Sequence, residues 1–328
     1  MRPSPGALAP RWIPAIALGM ACTAQAALAD EPLSWLQKAA GSARSASYAG
    51  TFVHTNGDRT ATFRVTHLNV NGEETERIEP LDGQPLEIVR KNDEMYCHFP
   101  DARTVRLDTR ITARFFPSIL RSAPEAIAAS YDVKMGKTER ILGYECQWLR
   151  LEPKDKLRFE QRVCAESGSG LVLRAKTFNG DRQVIEQYTF TELRIGPQAG
   201  RAADVRSSFE TRMKQWRTEK QPREEAMTAD TGWAVMNVPA GFQKVTEIRR
   251  TMPGRSQPVS QIVLSDGLAS LSVFVEPNAS PSRTAEASSE DGTTTFYSRP
   301  MGDQLVTVLG EVPLATAQQV GRSVSRRP

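Results

Sequence analysis

The sequence predicts an α+β protein, mostly antiparallel β, divided into a larger and a smaller domain. Three observations carry this expectation. Apolar and polar residues alternate with period two over most of the chain. Turn dipeptides such as Asn56-Gly57, Asp82-Gly83 and Asp266-Gly267 punctuate the alternation. Only a few short stretches have helical spacing, and 328 residues are enough for two modest cores.

Residues 1–29 are expected to be a secretory leader. Arg2 and Arg11 form a positive n-region before a short apolar run at 12–21, and Ala27-Leu28-Ala29 offers a small-residue cleavage site before Asp30, with Ala24-Gln25-Ala26 as the alternative. Gly19 stands where a lipoprotein signal ending at Cys22 needs a branched aliphatic residue, so a soluble exported chain is expected rather than a lipidated one. No later stretch approaches the roughly 18 apolar residues of a membrane span. The formal charge of +4 falls to +2 without the two leader arginines, a balance with no nucleic-acid footprint.

From residue 30 onward, 33–44 reads as an amphipathic helix with Leu33, Leu36 and Ala40 on one stripe. Strands follow at 48–54, 60–67, 86–90, 94–99 and 104–107. The segments 115–122 and 124–131 are helical candidates, rich in apolar residues. Strands resume at 131–134, 140–151, 157–165, 170–179 and 184–195, closing a large domain at 30–197. About ten antiparallel strands must curl and cover one face, and 115–131 is the candidate plug. Residues 198–229 read as a charged linker; seven basic and five acidic side chains fall within 201–225. A smaller domain at 230–328 has strands at 233–238, 242–250, 258–265, 270–276, 294–298 and 305–311, a helix at 316–323 and a polar loop at 278–292.

Cys146 and Cys164 sit near the two ends of one hairpin around Pro153-Lys154-Asp155-Lys156, close enough for a disulfide in an oxidising compartment. Cys97 is the odd thiol, and the alternative partner if its strand neighbours the hairpin. The spacing lacks the short C-x-x-C loop of redox enzymes. A zinc site is not expected, because the adjacent Cys97 and His98 point to opposite faces of one strand. The three histidines, His54, His67 and His98, all fall in strand patterns, and no H-E-x-x-H, G-x-S-x-G or P-loop is present. No catalytic residues, metal or cofactor are therefore assigned; a hydrolase is the remaining enzymatic class, testable by truncating the histidines. The apolar side chains Phe115, Phe116, Ile119, Leu120 and Ile127 are the candidate lining of a cavity for acyl chains, against the plainer alternative that they fill a core. Trp233, Phe242, Leu268 and Phe274 are the candidate partner contacts in the smaller domain, again against ordinary core packing.

Several stretches in order carry a resemblance: Ser47-Tyr48-Ala49-Gly50-Thr51-Phe52, Glu79-Pro80-Leu81-Asp82-Gly83, Leu149-Arg150-Leu151-Glu152-Pro153-Lys154-Asp155, Val238-Pro239-Ala240-Gly241-Phe242 and Val263-Leu264-Ser265-Asp266-Gly267-Leu268. Together they resemble the MucB/RseB family of periplasmic regulators of an envelope-stress sigma factor. The resemblance implies a large domain with the lipoprotein-carrier fold, an unclosed antiparallel barrel with helices inside, and a smaller sheet-and-helix domain. It implies binding to the periplasmic segment of a transmembrane anti-sigma factor of the RseA/MucA kind, shielding of that segment from proteolysis, and release by lipid A, lipopolysaccharide or acyl chains. No catalytic residues belong to the family. The family commonly has tyrosine before Ser-Asp-Gly where this chain has Leu264, and its cysteines are no family signature. The alternative function is a carrier that shuttles acylated cargo, for which a second domain has no need. Self-association is left open.

Overall fold

Strands β1 (Tyr48–Asn56), β2 (Arg59–Val70), β3 (Glu73–Pro80), β4 (Glu87–Lys91), β5 (Glu94–Phe99) and β6 (Thr104–Asp108) form one arm of a large sheet. Strands β7 (Tyr131–Ile141), β8 (Tyr144–Pro153), β9 (Glu160–Glu166), β10 (Val172–Phe178) and β11 (Val184–Ile195) form the other, and β12 (Arg217–Lys220) adds to an edge. The structure is a computed structural model and describes residues 1, 24–92, 94–108, 116–120, 123–197, 199, 211, 214–220, 230–250, 257–277 and 285–327. The sheet order is β12-β6-β5-β4-β3-β2-β1-β11-β10-β9-β8-β7. Neighbours are antiparallel except β12 with β6, and the two ends do not pair, so the barrel stays unclosed.

Helices α1 (Ala24–Ser45) and α2 (Pro124–Ser130) pack on each other and on β7 inside this trough. Leu36 and Ala39 from α1 and Ile127 from α2 join Phe52, Val65, Ile78, Leu149 and Leu151 in one core. Gly170 lets the β9–β10 turn touch α1: its φ is 81°, and a Cβ there would collide with the backbone oxygen of Lys38. The leader expected at 1–29 lies outside the described residues except for Met1 and for 24–29, the latter forming the start of α1.

The structure departs from the sequence pattern in several places. Residues 116–119 form turns rather than the start of a helix, because the residue before Pro117 is steered away from the α region. β3 breaks the alternation of apolar residues because Glu74 and Glu76 are themselves buried. The strand expected at 140–151 is the meeting of β7 and β8, turned at Leu142 and Gly143, whose φ values are 51° and 87°. Within the expected linker, residues 217–220 pair with β6, and Trp216 packs edge-on against His98 at 5.9 Å. Within the expected polar loop, β17 (Ala287–Asp291) is an edge strand exposed on both faces, which removes any apolar period.

The small domain contains β13 (Trp233–Val235), β14 (Gln243–Arg250), β15 (Val259–Ser265), β16 (Ser270–Pro277), β18 (Thr294–Met301), β19 (Gln304–Gly310), α3 (Leu314–Arg322) and β20 (Val324–Arg326). Its six-stranded sheet runs β14-β15-β16-β19-β18-β17, and β13 pairs with β20. Helix α3 lays Ala317 and Val320 against Tyr297, Val306 and Val308.

Candidate functional site

Alternation along β1, β2 and β11 sends Phe52, Phe63, Tyr188 and Phe190 into the trough, where the turn at 116–120 meets them. Phe116 stacks on Tyr188 at 5.3 Å and meets Phe52 at 5.0 Å and Phe190 at 4.9 Å. Phe116, Leu120 and Ile127 are buried, and half-buried Ile119 packs against the same core. Four of the five expected cavity residues are thus gathered in one apolar interior, filled by their own side chains in this conformation; Phe115 lies outside the described residues.

The interior is apolar at one end and ionic at the other. Tyr48 donates to Glu76 at 3.2 Å, Arg90 reaches Glu76 at 2.8 Å and Glu74 at 3.0 Å, and Glu74 lies 3.1 Å from His67. Burial, and then the charge of Glu76, raises the Tyr48 phenol well above its usual range. Burial also pushes Glu74 up, yet its bond to His67 and the charge of Arg90 hold it below the ordinary glutamate value. A second ionic group stands beside the aromatic end: His54 lies 2.9 Å from Glu186 and stacks on Tyr188 at 4.0 Å, and Tyr188 donates to Glu186 at 3.2 Å. Burial, then the negative charges of Glu186 and Glu311, raises the Tyr188 phenol.

The opposite face of β8 and β9 carries the disulfide. Trp148 pairs with Cys164 and Cys146 with Glu166, so the cysteines are diagonal neighbours 5.5 Å apart at Cα. They pack with Ile141 and Leu173 in a small separate core, and Cys97 takes no part in this disulfide.

The domains meet where the β8–β9 loop touches the small domain. The sequence pattern placed Arg158 on a strand; it lies in that loop instead, buried, with its guanidinium 5.0 Å from the Phe242 ring and 5.8 Å from Tyr131. It faces Asp266 of the β15–β16 turn at 2.8 Å, is held from behind by Asp155 at 2.7 Å, and donates to the carbonyl of Ala240. Tyr131 donates to Asp266 at 3.2 Å, and Thr316 of α3 donates to the carbonyl of Leu157 at 2.9 Å. A Cβ at Gly241, whose φ is 81°, would collide with the Ser130 hydroxyl. A second junction joins hairpin tips: the Thr293 N–H donates to Asn56 at 2.9 Å, and Arg59 pairs with Asp291.

Of the expected partner contacts, Trp233 and Phe242 lie in the small-domain core, and Leu268 is buried in the core of the large domain. Phe274 is half-buried on the side of β16 opposite Leu271, Val273 and Val275. Arg158 and Asp266 were not singled out from sequence because they meet from segments far apart in the chain, and the Glu74–Glu76–Arg90 group, on the neighbouring strands β3 and β4, because buried charged side chains give no apolar period. Two of the stretches that carried the family resemblance, 149–155 and 263–268, do flank the Arg158–Asp266 contact.

Among the described residues no group of three His, Cys, Asp or Glu side chains is placed to hold a metal ion, and no helix is long and apolar enough to cross a membrane.

Comparison with known proteins gives a consistent result. Residues 31–218 match the model of the MucB/RseB N-terminal domain, and 227–325 that of the MucB/RseB C-terminal domain. The chain is 29% identical to the sigma factor AlgU regulatory protein MucB of Pseudomonas aeruginosa, covering 94% of this chain and 95% of that protein. It is 24% identical to the sigma-E factor regulatory protein RseB of Escherichia coli over 86% of each. A solved complex of Pseudomonas aeruginosa MucA and MucB superposes with a TM-score of 0.73 at 26% identity, covering 91% of this chain and 99% of that chain.

Proposed function

The chain belongs to the MucB/RseB family, and on that premise we propose that it binds the periplasmic segment of a transmembrane anti-sigma factor of the MucA/RseA kind. In the bound state it covers that segment and keeps it from regulated proteolysis, restraining an envelope-stress response. Acyl chains of lipid A or lipopolysaccharide enter the large domain and release the partner. The observation that carries the first part is the match of both domains, over nearly the whole of each chain, to a MucB structure that contains MucA. The lipid part is supported by the aromatic interior around Phe116, which is apolar and lies within a sheet whose two ends do not pair. A periplasmic location fits the Cys146–Cys164 disulfide, since such bonds persist in oxidising compartments.

Mechanistically the proposal needs only linkage. A ligand releases the partner by as much as its affinity differs between the partner-bound and partner-free arrangements of the domains. The direct test is to capture membrane proteins with the tagged chain, with and without added lipopolysaccharide. A single-pass anti-sigma factor recovered only without lipopolysaccharide supports the proposal; recovery of no membrane-spanning protein in either condition overturns it.

A further inference from the structure

Leu268 belongs by sequence to the small domain, yet it is buried in the same cluster as Phe116, Leu120, Ile127 and Tyr131 of the large one. The turn that carries it is built to hold it there. Asp266 Oδ1 accepts the N–H groups of Leu268 at 2.9 Å and Ala269 at 2.7 Å, which fixes the turn. Asp266 Oδ2 faces outward to Arg158 at 2.8 Å and Tyr131 at 3.2 Å, which fixes the turn to the large domain. One carboxylate therefore sets the shape of the turn and fastens it across the junction.

We propose that Ser265-Asp266-Gly267-Leu268 is an intramolecular plug of the acyl site: Leu268 occupies the seat of a hydrocarbon chain, and the Arg158–Asp266 pair latches it until such a chain displaces it. The proposal rests on the acyl-binding reading above and supplies the step by which lipid entry moves the domains. A site filled by its own side chain binds ligand with an affinity reduced by the fraction of molecules in which that side chain is withdrawn. A buried ion pair suits the latch, since it holds only while both partners stay together and dry, and both ions regain water when the domains part. Withdrawal of Leu268 and loss of the Arg158–Asp266 contact are thereby one event.

The test titrates the full-length chain with cis-parinaric acid, whose fluorescence rises in apolar surroundings, and follows hydrogen exchange at the amides of Leu268 and Ala269. Leu268→Ala is expected to bind the probe about tenfold more tightly than the wild type, the loss of one competing buried leucine. Leu268→Met, which keeps the volume, is expected to bind within about twofold of wild type. Asp266→Asn, which weakens the latch but can still cap the turn, is expected to bind more tightly. Probe binding to the wild type is expected to speed exchange at both amides. If the wild type binds and Leu268→Ala and Asp266→Asn bind no more tightly, the plug is overturned while acyl binding stands. If neither wild type nor variants bind, the acyl site falls and the plug with it. Should Leu268→Ala fail to fold, Asp266→Asn and the exchange measurement decide in the same way.

Discussion

Arg158 and Asp266 form an ion pair 2.8 Å apart across the domain junction, with 2% and 0% of their side chains exposed. The guanidinium lies between two aromatic rings, so neither charge can find water while the domains are docked. Removing Asp266 leaves the buried guanidinium with Asp155, itself partly exposed, as its counter-charge, a cost of up to about 3–5 kcal/mol. The other junction contacts, of Tyr131, Thr316, Leu268 and the hairpin tips, lie outside the small-domain core, so that cost is expected to appear as undocking rather than unfolding. Asp266→Ala should enlarge the radius of gyration in small-angle scattering, whereas the paired replacement Arg158→Met with Asp266→Asn, which keeps the acceptor of the turn and leaves no buried charge there, should enlarge it less. An unchanged radius for Asp266→Ala would show that other contacts hold the domains.

The Cys146–Cys164 bond closes a loop between positions 18 apart. In the chain-entropy model a loop of this size is worth about 3 kcal/mol. Cys146→Ser with Cys164→Ser, or treatment with a reductant, should lower the melting temperature of the large domain and leave that of the small domain in place. Calorimetry separates the two transitions.

Glu247 ties three segments of the small domain together. It accepts from the N–H of Thr231 at 2.9 Å and its hydroxyl at 2.7 Å, and pairs with Lys244 and Arg327, each at 2.6 Å. Burial pushes this carboxyl up, but Lys244, Thr231 and Arg327 more than offset it and hold it down to about 2. A depressed carboxylate contributes stability that is present above its unfolded value of about 4.5 and lost as pH falls from there towards 2. Glu247→Gln should cost the small domain about 2 kcal/mol at neutral pH and weaken its acid sensitivity in that window, read from urea titrations.

His98 is a second acid-sensitive group. Burial lowers it to about 4 from 6.5, although Glu87 lies 3.0 Å away. The fold therefore holds a neutral ring where the unfolded chain holds a cation, and the large domain should lose stability as pH falls from 6.5 towards 4. His98→Gln should flatten the stability profile across that window. A profile equally steep in the variant would assign the loss to other groups.

How much of this could be read from sequence follows from where the determinants lie. The meander of strands was legible because Phe52, Val65 and Leu149 alternate with polar neighbours, and the cysteine pairing because both residues sit on one hairpin. β3 was not, since a strand whose buried residues are Glu74 and Glu76 has no apolar period. The turn at Leu142 was hidden by an apolar residue that is in fact exposed. Candidate cavity residues could be chosen because apolar helical segments inside a curled sheet must fill something. Arg158 and Asp266 are 108 positions apart, and nothing local in either stretch announces the other.

The central claim is that this chain holds an anti-sigma factor and lets it go when lipid binds. The most direct measurement is calorimetric titration of the full-length chain with the periplasmic segment of a MucA-like anti-sigma factor from the same cell, alone and with lipid A. The account predicts a saturable complex without lipid and an affinity at least about tenfold weaker with it, a coupling of about 1.4 kcal/mol. No complex, or a complex of equal affinity in both titrations, would contradict it.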